Sequence, residues 1–148
     1  MTLITPKPLP EWLLFERFVA GLYARLGFQA VRWHPALEFD LRGFSKGQID
    51  MTYRDSNAGH SVYAEIKYHH HPSQHVSRKD VAYFIDVLQR HGQPAFCAEV
   101  ITNTAFTKNA RRLANEYAIR LTDGSLLDRY SSILRPMFIN NSSTLNPK

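Results

Sequence analysis

Residues 49–67 read IDMTYRDSNAGHSVYAEIK, which is the pattern of a β-hairpin. Residues 49–54 predict a first strand, rich in β-branched and aromatic side chains. The polar cluster at 55–59 contains the Asp, Asn and Gly residues that turns favour. Residues 60–67 then predict the return strand, so the two strands pair antiparallel around a tight turn.

The hairpin brings three chemically active side chains together. Side chains alternate across a strand, so Glu65 and Lys67 share one face while Ala64 and Ile66 take the other. Asp50 stands near the open end of the hairpin, and we expect it to meet Glu65 and Lys67 there. Two carboxylates and an ammonium group at one point make a site for a divalent metal ion and a scissile phosphate.

Phosphodiester hydrolysis is the chemistry that this set of groups allows. Mg²⁺, with Mn²⁺ as a substitute, can polarise the phosphate, activate water and stabilise the leaving oxygen. Its expected ligands are Asp50, Glu65 and the carbonyl of Ile66. Lys67 would orient the attacking water or neutralise phosphate charge. Taken by itself, Glu-x-Lys is also an ordinary pair on an exposed strand, worth less than about 1 kcal/mol.

The composition limits the classes of protein to which the chain can belong. The chain has 148 residues, 44% of them hydrophobic, which suits one compact domain, predicted over residues 10–134. A net charge of +5 favours a polyanionic partner such as DNA. The lone Cys97 excludes an internal disulfide and a zinc site of paired cysteines, and it is expected to be a buried thiol. Without a signal peptide or a long apolar run, we expect a cytoplasmic protein with no membrane partner.

Helices and strands alternate along the remainder of the chain. Residues 34–47 are left unassigned, and residues 1–9 and 136–148 are expected to be irregular. The other elements are a helix at 10–26, a strand at 28–33, a helix capped by Ser77 and Asp80 that ends near Gly92, a strand at 94–102, a helix at 106–117, a strand at 119–122 and a helix at 125–134. The order α-β-β-β-α-β-α-β-α predicts an α/β fold, a mixed central β-sheet flanked by helices on both faces.

The spacing of these motifs resembles a known family. Residues 47–50, Gly-Gln-Ile-Asp, and residues 62–67, Val-Tyr-Ala-Glu-Ile-Lys, resemble the Asp…Glu-x-Lys signature of the restriction-endonuclease-like nucleases, the PD-(D/E)xK superfamily. The branch that they resemble is that of the Mrr-like restriction endonucleases. Three further segments match in order: Phe15–Val19 with Leu22, Tyr23, Leu26 and Gly27; Ile101–Asn103 with Phe106, Thr107 and Ala110; and Leu121–Gly124 with Leu126 and Leu127.

The resemblance implies a restriction-endonuclease-like core and Mg²⁺-dependent cleavage of DNA. It implies Asp50, Glu65 and Lys67 as the catalytic set, and related nucleases often add a carboxylate from the first helix, here Glu16. A solvated helix glutamate is the alternative for that residue. The chain departs from the family at Gln48, where a second glycine is usual. The resemblance covers about residues 11–128, so we expect no DNA-reading winged helix beside the nuclease-like domain, and a recruiting protein partner is one expectation.

Several polar residues are candidates for contact with DNA. Gln48 shares the strand face of Asp50 if the strand begins early. The histidine run that begins at His69 leaves the catalytic strand directly, and a solvated loop is favoured for it over a zinc site. The remaining candidates are Arg78 and Lys79 at the start of the second helix and Lys108, Arg111 and Arg112 on the third, with a solvated helix face as the alternative. Thr102 and Asn103 are interpreted as a cap of the third helix, with a contact at the edge of the site as the alternative.

Two rival functions stay open at this point. A Holliday-junction resolvase of the same fold would use the same residues on a branched substrate. A non-cleaving DNA-binding or assembly module would keep the fold, but nothing chemical would then require Asp50, Glu65 and Lys67 together. A basic domain without a nucleic-acid role is the least specific alternative. A homodimer is expected for a nuclease that cuts both strands of a duplex, because this needs two active centres.

Overall fold

The computed structural model describes residues 8–34 and 49–145. Within them the order of elements predicted from the sequence is confirmed, with one short 3₁₀ turn, Ala95–Cys97, added before the fourth strand. The elements are α1 (Glu11–Arg25), β1 (Gln29–Trp33), β2 (Met51–Asp55), β3 (His60–Lys67), α2 (Arg78–Arg90), β4 (Ala98–Thr102), α3 (Lys108–Glu116), β5 (Arg120–Thr122) and α4 (Gly124–Leu145).

The five strands form one mixed sheet in the order β1-β2-β3-β4-β5. β1, β2 and β3 pair antiparallel, whereas β3, β4 and β5 run parallel. The parallel pairs require crossovers, which α2 and α3 provide. The predicted hairpin is confirmed, with Met51 opposite Ala64 and Asp55 opposite His60. Its turn closes where the N–H of Gly59, at φ +73°, donates to the carbonyl of Asp55 over 2.9 Å.

Helices cover both faces of the sheet, as the element order predicts. One face carries α1 and α4, whose Val19, Leu22 and Leu127 pack on buried residues of the strands. The other face carries α2 and α3, whose Phe84 and Leu113 belong to a second buried cluster. Two apolar layers therefore hold the sheet between them, and burial of these side chains is the main stabilising contribution.

Side-chain caps explain where the two crossover helices begin. The hydroxyl of Ser77 accepts a hydrogen bond from the N–H of Asp80, and the Asp80 carboxylate accepts one from the N–H of Ser77. This is the capping box that the sequence predicts. Thr107 caps α3 in the same way through the N–H of Ala110. The parallel bridge between Val76 and Phe106 then holds the two helix starts side by side.

Two boundaries differ from the sequence prediction by more than two residues. The strand predicted over 94–102 begins only at Ala98, because Pro94 introduces the 3₁₀ turn instead of continuing the ladder. The helix predicted to end at 134 continues to Leu145, so the expectation of an irregular chain from Pro136 onward is wrong for residues 136–145. A proline removes one helical hydrogen bond and favours a stop, but it does not exclude continuation.

The structure also bears on the state of Cys97 and on the presence of a membrane-spanning helix. Cys97 is a buried free thiol, as predicted, and burial raises its pKa. Across the stretches 8–34 and 49–145, no helix combines the length and the apolar character needed to cross a membrane.

Candidate active site

Asp50 and Glu65 lie side by side at the open end of the hairpin. Extending the β2–β3 register by one pair places Asp50 directly opposite Glu65. The Oδ2 atom of Asp50 accepts a 2.8 Å hydrogen bond from the N–H of Ile66, and the two carboxyl groups are hydrogen-bonded to each other. Asp50 itself is buried. The sequence expectation that these two carboxylates converge therefore agrees with the observed geometry.

Lys67 is the last residue of β3 and lies on the same strand face as Glu65. Ala64 and Ile66 point the other way and are buried in the core beneath α1 and α4. The Lys67 ammonium group acts electrostatically on both Asp50 and Glu65 and lowers the pKa of each. One lysine therefore partly compensates two acidic groups.

Burial dominates the electrostatics of the carboxyl pair. Desolvation raises the pKa of Glu65 well above its ordinary value, and the nearby Asp50 charge raises it further. Desolvation also raises the pKa of Asp50, against the opposing effect of the Ile66 N–H. Asp50 is buried and Glu65 half-buried, and two carboxyl groups in contact resist being charged together, so the raised pKa values favour their protonated forms. A divalent cation would replace those protons and satisfy the two carboxylates.

Glu16 of α1 belongs to the same electrostatic cluster. Its side chain is buried, and its Oε1 accepts a 3.1 Å hydrogen bond from the indole N–H of Trp33 on β1. Desolvation and the charge of Asp50 raise the pKa of Glu16 to about 7. The alternative of a solvated helix glutamate is thus wrong, and Glu16 is a third acidic group that acts on the pair.

The donor set at this point suits an oxygen-binding ion that keeps part of its water shell. Within residues 8–34 and 49–145, no group of three or more His, Cys, Asp and Glu side chains is arranged to hold a metal by itself. Asp50 and Glu65 supply two carboxylates, and the chain between Glu65 and Lys67 supplies the carbonyl of Ile66. Mg²⁺ typically binds one or two carboxylates and fills its remaining positions with water and substrate phosphate.

The cationic candidates for DNA contact lie at the same end of the sheet as Lys67. β3 ends at Lys67 and β4 at Thr102, and these two residues are paired. The starts of α2 and α3 follow these strand ends and are joined by the Val76–Phe106 bridge. Five cations on these helices are exposed, namely Arg78, Lys79, Lys108, Arg111 and Arg112. Gln48, the other candidate, lies outside the described residues.

The segment after Lys67 is held by a residue for which the sequence suggested another role. Asn103 binds the main chain of His69 through both ends of its side-chain amide, at 2.8 and 2.7 Å. Its interpretation as a cap of α3 is wrong, because Thr107 occupies that position. The Nε2 atom of His69 is buried and has no hydrogen-bond partner in the described part of the chain. Contact between His69 and DNA stays a prediction.

Another buried carboxylate, Glu99 of β4, was not singled out from the sequence. It accepts hydrogen bonds from the hydroxyls of Tyr23 and Tyr53, and from Thr122 over 2.6 Å. Arg120 donates to Tyr53 and reaches Asp55 at 3.2 Å, which extends the network to the surface. Glu99 faces the α1 side of the sheet, and both of its carboxylate oxygens accept hydrogen bonds. Its role is therefore structural. The sequence feature that could have identified Glu99 is its position as the single acidic residue in the apolar run 94–102.

Comparison with known proteins gives a family match and a fold match. A family model described as restriction endonuclease, Mrr_cat, matches residues 10–130. No relative was found among curated protein sequences. The crystal structure of AF1548, a protein of unknown function, is similar with a TM-score of 0.59 and 21% identity, covering 78% of this chain and 59% of that one. This likeness shows the fold.

A second solved structure is similar over part of its length. It is the MspJI restriction endonuclease in complex with a 27-mer oligonucleotide, with a TM-score of 0.48 and 20% identity, covering 80% of this chain and 26% of that one. The present chain therefore spans less than two thirds of the length of either solved chain.

Proposed function

Because the chain belongs to the Mrr-type family of restriction endonucleases, nucleases of the PD-(D/E)xK type, we propose that it is a Mg²⁺-dependent endodeoxyribonuclease. The observation that carries the proposal is the contact between the carboxyl groups of Asp50 and Glu65, with Lys67 on the same strand face. A surface charge pair would be solvated. Here a buried and a half-buried carboxyl group are held together, an arrangement that a divalent cation stabilises.

The proposed metal ligands are Asp50, Glu65 and the carbonyl of Ile66. The family generally uses divalent metals, and the oxygen donors present here favour Mg²⁺, with Mn²⁺ as a substitute. When bound, the ion would polarise the phosphate and make water a better nucleophile. The N–H of Ile66 keeps one Asp50 oxygen fixed, so the carboxylate needs little reorganisation to bind.

Lys67 would position the attacking water and neutralise charge on the phosphate. Its ammonium group is a compact charge at the end of β3, beside the two carboxylates. Electrostatic stabilisation of this kind is effective when the donor is already oriented before the reaction. Glu16 would add a further negative charge near the pair and, by accepting from Trp33, keep a fixed position in α1.

DNA is the proposed substrate because the positive charge is placed where the phosphate backbone would approach. Exposed cations at the starts of α2 and α3 share the sheet end at which Lys67 stands. Contacts from such side chains position a nucleic acid without reading its sequence. A duplex laid across this end would therefore bring a phosphodiester to Asp50 and Glu65.

Cleavage assays test this proposal. The purified chain is incubated with supercoiled plasmid, linear duplex, single-stranded DNA and a four-way junction, each with Mg²⁺, Mn²⁺ or EDTA. We expect nicking or cutting of duplex DNA that EDTA abolishes. Preferential cutting of the four-way junction would favour the resolvase alternative. Binding of DNA without cutting in either metal would overturn the proposal in favour of a non-cleaving module.

A further inference from the structure

Asn103 extends the pairing of the two central strands beyond their last backbone pair. β3 and β4 pair up to Lys67 and Thr102. The Oδ1 of Asn103 then accepts from the N–H of His69 at 2.8 Å, and its Nδ2 donates to the His69 carbonyl at 2.7 Å. A side-chain amide offers the same donor and acceptor as a peptide group, so it can replace one in a ladder. We call this pair of hydrogen bonds the Asn103–His69 clamp.

Asn103 is itself held in place by the start of α4. A Cβ atom on Gly124 would stand only 2.2 Å from the carbonyl oxygen of Asn103, so the two backbones are in contact there. The N–H of Gly124 also donates to the carbonyl of Thr104 over 2.9 Å. The clamp thus connects the segment after Lys67 to a fixed backbone, because residues on both sides of Asn103 are packed or bonded.

The same segment is also held by α1. Glu11, the first residue of α1, accepts a hydrogen bond from the Tyr68 hydroxyl at 2.5 Å and contacts the Nδ1 of His70 at 2.9 Å. These contacts are exposed and individually weak. The clamp is the half-buried contact, and His69 lies between the two residues bound to Glu11. The segment just beyond Lys67 is therefore held by both Asn103 and Glu11.

We propose that Asn103 is a positioning residue for Lys67, which fixes the end of β3 so that the lysine ammonium group stays beside Asp50 and Glu65. This inference rests on the proposed function. Lys67 is the last residue of its strand, and ends of strands fray unless their backbone groups are bonded. A displacement of about 1 Å of a catalytic group can lower the rate on the order of a hundredfold.

The experiment compares Asn103→Ala and Asn103→Asp with Asn115→Ala, which changes an exposed asparagine at the far end of α3. Amide hydrogen exchange is measured over residues 66–70, and single-turnover cleavage of duplex DNA is measured with Mg²⁺ at saturating protein. In Asn103→Ala we expect exchange of these amides to rise by at least about tenfold. The cleavage rate should fall between about tenfold and a hundredfold at unchanged DNA affinity.

Asn103→Asp keeps an acceptor for the His69 N–H but loses the donor to the His69 carbonyl. Its amide exchange and its cleavage rate should therefore lie between those of wild type and Asn103→Ala. Unchanged exchange in both Asn103 variants would overturn the clamp. Faster amide exchange with an unchanged cleavage rate would overturn the positioning role of Asn103. If wild type cuts no DNA, the proposed function and the positioning role fall together, and the exchange data alone decide the clamp.

Discussion

The main-chain N–H of Ile66 donates a 2.8 Å hydrogen bond to the Oδ2 atom of Asp50. This bond joins the two strands of the hairpin at the residue that separates Glu65 from Lys67. The orientation of one candidate metal ligand is thus coupled to the strand that carries the other two groups.

Asp50→Asn is expected to weaken Mg²⁺ binding while leaving the fold intact. The amide oxygen can still accept from Ile66, but the negative charge is lost. Loss of an outer-shell partner already weakens metal binding by about ten- to a hundredfold, so a ligand should cost at least tenfold. Isothermal titration with Mg²⁺ measures this, and Asp86→Asn on the exposed face of α2 is the matched control. Equal Mg²⁺ affinity in Asp50→Asn and wild type would remove Asp50 from the metal site.

The stability of the metal-free protein should fall as pH rises, partly because of Glu16. Its pKa of about 7 in the folded protein lies above the ordinary 4.5, so the folded state holds the proton more tightly. The stabilising contribution is complete below about pH 4.5 and is lost as pH rises through 7. It amounts to about 3 kcal/mol, at 1.36 kcal/mol per pKa unit. Asp50 and Glu65, whose pKa values are also raised, act with the same sign.

Glu16→Gln tests this dependence of stability on pH directly. Its amide oxygen can still accept the hydrogen bond from Trp33, but it carries no charge. Urea unfolding of the metal-free protein between pH 5 and 8 should show a smaller loss of stability in Glu16→Gln than in wild type. Glu116→Gln, an exposed glutamate of α3, should keep the wild-type slope. An identical slope in Glu16→Gln and wild type would mean that Glu16 is solvated.

Most of the architecture follows from local sequence signals. The hairpin combines alternating apolar residues with a turn cluster, and the start of α2 combines Ser77 with Asp80, so both features are readable from neighbouring residues. The continuation of α4 beyond Pro136 was missed, since proline is a strong local signal against a helix interior. Of the unassigned residues 34–47, all but the first lie outside the described residues.

The candidate site is only partly readable from the sequence. Asp50, Glu65 and Lys67 lie on the two strands of one hairpin, so strand alternation and hairpin pairing bring them together. The contact between Glu16 and Trp33 depends on how α1 packs against β1, which no spacing encodes. Asn103 was interpreted as a cap because asparagine favours that position, whereas its amide pairs with a loop that is distant in sequence.

Glu99→Gln should destabilise the fold by about 1–3 kcal/mol, the cost of a buried polar group left without a suitable partner. The carboxylate accepts from three hydroxyls, on α1, β2 and β5, and an amide would place a donor against one of them. Urea unfolding at pH 7 measures the loss, with Glu116→Gln as the exposed control. A change of less than 0.5 kcal/mol, roughly the range of ordinary surface substitutions, would show that the network contributes little.

Lys108→Ala and Arg111→Ala should weaken DNA binding without changing its sequence preference. Each removes one exposed cation from the start of α3, and each lost phosphate contact lowers the slope of log Kd against log salt by about 1. Fluorescence anisotropy across a salt series measures the slope. Arg54→Ala, an exposed arginine on β2, is the control for general charge loss. Equal slopes for all three variants would place the DNA elsewhere.

The central claim is that Asp50, Glu65 and Lys67 form the centre that cuts DNA, and single-turnover cleavage of duplex DNA with Mg²⁺ tests it most directly. Asp50→Ala and Lys67→Ala should each abolish cleavage while circular dichroism shows an intact fold, and Asp86→Ala should cut like wild type. Undiminished cutting by either Asp50→Ala or Lys67→Ala would contradict the assignment.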